Sequence, residues 1–364
     1  MSYCNKIKYN ILRTENAEFA LLVDKLLSEL PCDESIVRLT FFGRPSDNVE
    51  YLNRYSILKE KAGAFFGSKM PVLSYISQPA LGTVLLLEVH SYQKEENESL
   101  SYKSLNGFSY VILENKHGKT LFAGGFQGDI INDNMDKQSV DVLCYVEQLL
   151  KKEGFPINSI VRQWNYIEQI TKFNGEDQHY QSFNNARADF YDKTTWTKGY
   201  PAATGIGTNL GGLLIEFDAV VLASDSDSIT PIDNKLQIAA HAYSERVLES
   251  ALSQKKTPKF ERAKSLTIDG NRLIYVSGTA AIRGEESLKG VGVSEQLRIT
   301  MENIAVLIDN AKLSLLRVYL KNKEDFEVTR EQLSIMQPDI PVSYMCADVC
   351  RDELLIEIEG IAVE

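Results

Sequence analysis

The sequence has no apolar stretch long enough to span a bilayer. Its longest runs, such as residues 84–89, are strand-length, against the roughly 20 residues a transmembrane helix needs. No apolar leader follows Met1-Ser2-Tyr3-Cys4-Asn5-Lys6, so neither a signal peptide nor a membrane partner is expected. Positive charge is also short: 39 Lys+Arg against 50 Asp+Glu leave a net charge of −11. Without a basic cluster, nucleic acid is not an expected partner. Cysteine is scarce and odd in number, with Cys4, Cys32, Cys144, Cys346 and Cys350 at no framework spacing in a chain of 364 residues. This points to reduced thiols in the cytoplasm. His90, His117, His179 and His241 are scattered, and Cys346-Ala347-Asp348-Val349-Cys350 has no second cysteine pair, so no metal is expected. The Gly205–Gly212 segment is not a GxGxxG turn and no helical pattern follows it; close backbone packing is the better reading. What is present is an ordinary globular composition, 44% hydrophobic and 24% charged.

Internal repetition organises that composition. Leu354-Leu355-Ile356-Glu357-Ile358-Glu359 is matched 141 residues earlier by Leu213-Leu214-Ile215-Glu216-Phe217-Asp218, and 128 residues before that by Leu86-Leu87-Glu88-Val89. Pro71, Pro201 and Pro341 stand 17, 15 and 16 residues before Glu88, Glu216 and Glu357. Upstream of each proline lies a 3.6-period apolar stripe: Phe19, Val23, Leu26 and Leu30; then Val142, Val146 and Leu149; then Leu297, Met301, Ile304 and Ile308. A β-rich run carrying Arg38, Arg162 or Arg317 follows each stripe. The second and third copies open with strand pairs at 110–114 with 120–124 and 264–268 with 273–278, joined by His-Gly and Asp-Gly turns. The first copy has one early strand, residues 6–12. Each unit reads β-β-α-β-α-β, an α+β fold in layers. Polar stretches at 93–106 and 223–233 suggest loop boundaries, giving a degenerate unit over 1–105, a central unit over 106–225 and a third over 226–364.

A unit of this order closing on an Ile-Glu-Ile-Glu strand resembles the Rid/YjgF superfamily, whose members form homotrimers with clefts between subunits. Three copies in one chain then imply a fused pseudo-trimer, monomeric because its clefts are internal. The fused arrangement resembles the chorismatase family. The resemblance is carried by Arg162-Gln163-Trp164-Asn165-Tyr166, Phe183-Asn184-Asn185-Ala186-Arg187, Tyr200-Pro201-Ala202-Ala203-Thr204-Gly205-Ile206-Gly207, Ser277-Gly278-Thr279-Ala280-Ala281-Ile282-Arg283-Gly284 and the run from Asp348 to Glu357. It covers the chain from about residue 110 onward. It implies removal of pyruvate from chorismate, a dianionic cyclohexadiene with an enolpyruvyl ether, without a cofactor.

An enol ether resists water until its methylene carbon is protonated, which requires a carboxylic acid kept neutral by a low-dielectric cleft. Glu357 matches the family acid; read alone, it is more simply a strand residue facing solvent. Arg187 and Tyr180 are seven residues apart on one helical face. The resemblance makes Arg187 a carboxylate clamp and Tyr180 a hydroxyl donor; the alternative for Arg187 is a surface ion pair with Asp189 or Asp192. Arg162, Arg283 and Arg262 are further candidates, although Arg38 and Arg317 make the Arg162 position look like a structural habit. Cys350 resembles the 3-hydroxybenzoate-forming subgroup rather than the one hydrolysing chorismate to a dihydroxycyclohexadienoate, and it also reads as a core thiol. Ala263 departs from the glycine of the benzoate formers, so the pair is mixed. Glu88 and Glu216 are expected to be inactive relics. Rid-type imine or enamine deamination is disfavoured, because the stretches before the three glutamates hold a single arginine, Arg351, past the strand where that activity needs one. A non-catalytic carboxylate-binding protein is the alternative from another class.

Overall fold

The computed structural model describes residues 2–242 and 256–364. Three sheets follow one another along the chain and share one strand order. In the central sheet the order is Ala202–Thr208, Ile160–Glu168, Leu213–Leu222, Gly118–Gln127, Phe108–Asn115 and Ser99–Leu105. The third sheet repeats it as Val342–Cys346, Lys312–Leu320, Ile356–Val363, Asn271–Ala280, Ala263–Ile268 and Ser228–Ile232. The first stops after four strands, Val72–Ile76, Ser35–Phe42, Leu86–Tyr92 and Ile7–Arg13, so the unit read as degenerate lacks the two outer strands. In every sheet the strand following the proline runs parallel to the arginine strand, and the glutamate strand lies antiparallel on the other side. The α+β class and the three repeated units are as the sequence indicates.

The two stretches read as loop boundaries are corrected. Ser99–Leu105 pairs with Phe108–Asn115 and Ser228–Ile232 pairs with Ala263–Ile268. Both are outermost strands, and their polar composition is what an edge strand exposing one margin to water tolerates.

Helices cover one face of each sheet, and each unit buries a core of its own there. Val142, Val146 and Leu149 fill the central one, and Leu297, Ile304 and Ile308 the third. The opposite faces meet at the middle of the molecule, where Val37, Val161 and Leu315 share one apolar cluster and Phe42, Trp164, Tyr166 and Tyr319 share another.

Register makes the threefold relation explicit. Arg38 stands opposite His90, Arg162 opposite Asp218 and Arg317 opposite Glu359. Two residues on, Thr40 faces Glu88, Trp164 faces Glu216 and Tyr319 faces Glu357. The three arginines are buried and surround one indole, with guanidinium carbons 4.9, 4.6 and 5.3 Å from the Trp164 ring for Arg38, Arg162 and Arg317. Each reaches out of its own unit. Arg38 donates to Asp218 at 2.7 Å, Arg162 to Glu359 at 2.5 Å and Arg317 to Glu88 at 2.6 Å. Buried charges of this kind persist only when paired and hydrogen-bonded.

Candidate active site

A cleft opens between the central and third units and is lined by residues of both. The helix His179–Tyr191 and the strand Ala202–Thr208 form its central-unit wall; the strands Asn271–Ala280 and Ile356–Val363 form the other. Glu357, Arg187, Tyr180 and Cys350 all line it.

Two glycines set its shape. A Cβ at Gly278 would overlap Oε1 of Glu357 and stand 3.0 Å from its Cδ, so the carboxyl lies across bare backbone. A Cβ at Gly205 would stand 2.9 Å from Cε2 of Tyr180, so the ring packs close against that strand. The glycine-rich segment thus serves close packing beside the cleft, as the sequence suggests.

Glu357 is 6% exposed, and no hydrogen bond or ion pair joins its side chain to another described residue. Burial, then the negative charge of Glu359, pushes its carboxyl up to about 8, against the opposing pull of Arg262, Arg162 and Arg351. The two equivalent carboxylates differ. Glu88 receives Arg317 through two nitrogens, at 2.6 and 2.8 Å, and lies 2.7 Å from His90 Nε2. Although burial alone would raise it, the Arg317 charge and the hydrogen bond with His90 hold that carboxyl below the ordinary range. Glu216 accepts from Thr40 at 3.0 Å and Tyr166 at 3.3 Å, with Arg38 Nε at 3.7 Å.

Arg187 is buried, donates to Asn184 at 2.6 Å and lies over Phe183 at 5.0 Å. Asp189 and Asp192 pair instead with Lys256 and Lys259, so among the described residues Arg187 has no carboxylate partner. Tyr180 is pushed up by burial and stays a hydroxyl. Burial, followed by the nearby Glu357 charge, pushes the Cys350 thiol up to about 12, so it is a neutral S–H near pH 7.

Three residues singled out in the sequence stand elsewhere. Arg162 is turned into the molecular centre, where Glu359 and, at 2.7 Å, Thr204 hold it. Arg283 is bound to Asn303 and, at 2.7 Å, to Glu302. Ala263 is fully buried in the core of the third unit, with Arg262 beside it in the chain. None of the three lines the cleft. Arg262 and Arg351 do, and Arg351 was missed because it sits on a loop beyond the strand rather than on a patterned element. Gln178, Gln181, Phe260 and Leu354 complete much of the wall, without any periodic signal to mark them. The cleft therefore presents three guanidinium groups around one carboxyl.

Elsewhere, His117 lies 3.1 Å from Asp227 and 3.2 Å from Asp269, with Lys116 3.0 Å from the same Asp269. Both imidazole nitrogens face carboxylates, and the three side chains place one ligand atom each within 4.8 Å of one another, close enough to hold a metal ion. No described helix is long and apolar enough to cross a membrane.

A fused three-unit α+β chain with one buried acid in an arginine-lined cleft defines the class. The family model "Chorismatase FkbO/Hyg5-like, N-terminal" matches residues 108–219. A 3-hydroxybenzoate synthase of Streptomyces hygroscopicus is 31% identical over 241 residues, 60% of this chain and 68% of that one. A chorismatase of Streptomyces rapamycinicus is 30% identical over 230 residues, 57% of this chain and 64% of that protein. A crystal structure of a chorismatase superposes with a TM-score of 0.69 at 20% identity, covering 98% of both chains, and shares the fold. The chain belongs to the chorismatase family, a family of enzymes.

Proposed function

We propose that the protein cleaves the enolpyruvyl ether of chorismate, with Glu357 as the general acid. The observation that carries the reading is the Glu357 carboxyl, buried in an arginine-lined cleft and neutral near pH 7. Burial favours its protonated form, so the carboxyl keeps its proton well above the ordinary carboxylate range. Three guanidinium groups suit a substrate with two carboxylates, since the planar fork of arginine matches carboxylate geometry.

Glu357 delivers its proton to the methylene carbon, and the ether oxygen stabilises the resulting oxocarbenium. Water attacking that centre gives pyruvate and a dihydroxycyclohexadienoate. Capture by the neighbouring ring hydroxyl, loss of pyruvate and aromatisation give 3-hydroxybenzoate with no net water consumed. The presence of Cys350 on the wall, with Ala263 away from it, favours 3-hydroxybenzoate.

Purified protein with chorismate tests this, using a coupled assay for pyruvate and chromatography for the ring product. Expected are pyruvate and 3-hydroxybenzoate, with turnover falling at least 10²-fold in Glu357→Gln. A dihydrodiol product would overturn the role given to Cys350. Absence of pyruvate above the Glu357→Gln background would overturn the enzymatic reading and leave a carboxylate-binding protein.

A further inference from the structure

Three units place the same glutamate at the same register, yet among the described residues Glu88 and Glu216 have an arginine within 4 Å and Glu357 has no ion pair. The difference lies two residues further along the strand. That position holds His90 in the first unit, Asp218 in the central unit and Glu359 in the third. With His90 there, that position offers Arg317 no carboxylate, and the guanidinium closes on Glu88 at 2.6 and 2.8 Å while its Nη1 also reaches Glu359 at 3.1 Å. With Asp218 there, the shorter acid takes Arg38 at 2.7 Å but leaves its Nε 3.7 Å from Glu216. With Glu359 there, the arginine makes its ion pair with that carboxylate and none with Glu357. Arg162 donates to Oε2 at 2.5 Å, alongside Thr204, while Oε1 receives Trp164 at 2.9 Å, Arg317 at 3.1 Å and Tyr319 at 3.1 Å.

We propose that Glu359 is the positioning residue that makes the third carboxyl the reactive one, because its full-length side chain captures Arg162 and keeps that guanidinium off Glu357. Histidine and aspartate at the same register mark the two ways the device fails, with the arginine doubly bonded to the glutamate or 3.7 Å from it. Glu359 also contributes its own negative charge, which favours the protonated form of its neighbour. The remaining charged and titratable groups facing Glu357 come from every surrounding wall. They are Arg187 and Tyr180 on the helix His179–Tyr191, Arg262 on the segment before Ala263–Ile268, and Cys350 and Arg351 on the loop before Ile356–Val363. None occupies the position two residues along the strand that distinguishes the three units.

The inference rests on Glu357 being the acid of the proposed reaction, but its test needs no substrate. The carbonyl band of the protonated Glu357 carboxyl, identified by its loss in Glu357→Gln, is titrated by infrared difference spectroscopy in wild type, Glu359→Asp and Glu359→Gln. Glu359→Asp keeps the charge and therefore the buried pairing, but shortens the reach to that of Asp218. Its Glu357 midpoint is expected to fall by about one pH unit, and that of Glu359→Gln by more. The double variant Glu359→Gln/Arg162→Gln, which removes anion and cation together, is expected to return toward wild type. The basic limb of the pH–rate profile for pyruvate release should move with the infrared midpoint. A folded Glu359→Asp whose Glu357 midpoint stays within about 0.3 units of wild type would overturn the proposal, as would a double variant that remains shifted with Glu359→Gln. Absence of pyruvate release in wild type would overturn the proposed reaction, while the titration would still decide the role of Glu359.

Discussion

Replacing Glu357 by glutamine should stabilise the protein while silencing it, and the gain should grow with pH. The folded cleft binds this proton more tightly than the unfolded chain does, with a midpoint raised from 4.5 to about 8. Between those values the native state holds one more proton than the unfolded state, so stability falls as pH rises. The contribution is intact below about pH 4.5 and lost by the time pH has passed through 8. From pH 5 to pH 8, linkage gives a loss on the order of 3 kcal/mol from this one group. Glutamine has the same shape and no titration, so subtracting the wild-type profile from that of Glu357→Gln cancels every other ionisable group. Denaturant unfolding at half-unit intervals from pH 5 to 9 should give a difference near zero at pH 5. It should then rise steadily in favour of the variant and level off above about pH 8. A flat difference would refute the buried, neutral acid, whatever the activity of the variant.

Gly278→Ala drives a methyl group into the Glu357 carboxyl, and turnover should fall about 10²-fold with the fold retained by circular dichroism. Arg187→Met removes a buried cation with no carboxylate partner among the described residues. It should raise KM for chorismate by roughly 10- to 100-fold, with Arg187→Lys falling between because it keeps the charge and loses the fork. Glu88→Gln breaks the pairing with Arg317 and should cost about 3–5 kcal/mol in denaturant unfolding. Glu216→Gln should leave pyruvate release per folded molecule within about twofold of wild type, since direct interactions of this kind decay once no partner is shared with the reacting groups. A larger loss in Glu216→Gln would mean that a second cleft turns over.

What the sequence made legible is what repeats. Prolines, apolar stripes, arginine strands and glutamate strands recur in three copies, and their common order is the fold. Glu357, Tyr180, Arg187 and Cys350 were legible because they sit on patterned elements or matched family motifs. Arg351 and Phe260 were not, since they stand in irregular segments where no period links neighbours in sequence to neighbours in space. The edge strands at 99–105 and 228–232 were read as loops because no residue of the first and only Ile229 of the second is buried, which leaves no apolar alternation to betray a strand. Arg162 shows the opposite failure. Its repetition as Arg38 and Arg317 marked it as structural, and the family motif around it drew a substrate role that its burial against Glu359 replaces.

The three arginine strands also show why sequence similarity between units is a poor guide to equivalent function. Glu88, Glu216 and Glu357 are the same residue at the same register, so nothing in the glutamate itself separates a buried ion pair from an acid held near neutrality. The separation comes from a partner in the adjacent unit and from the residue two places on, which decides where that partner's charge rests. In an assembly of identical subunits such a change would alter all three clefts together. Within one chain, His90, Asp218 and Glu359 differ, so two interfaces hold paired carboxylates while the third carries a carboxyl with no arginine ion pair among the described residues.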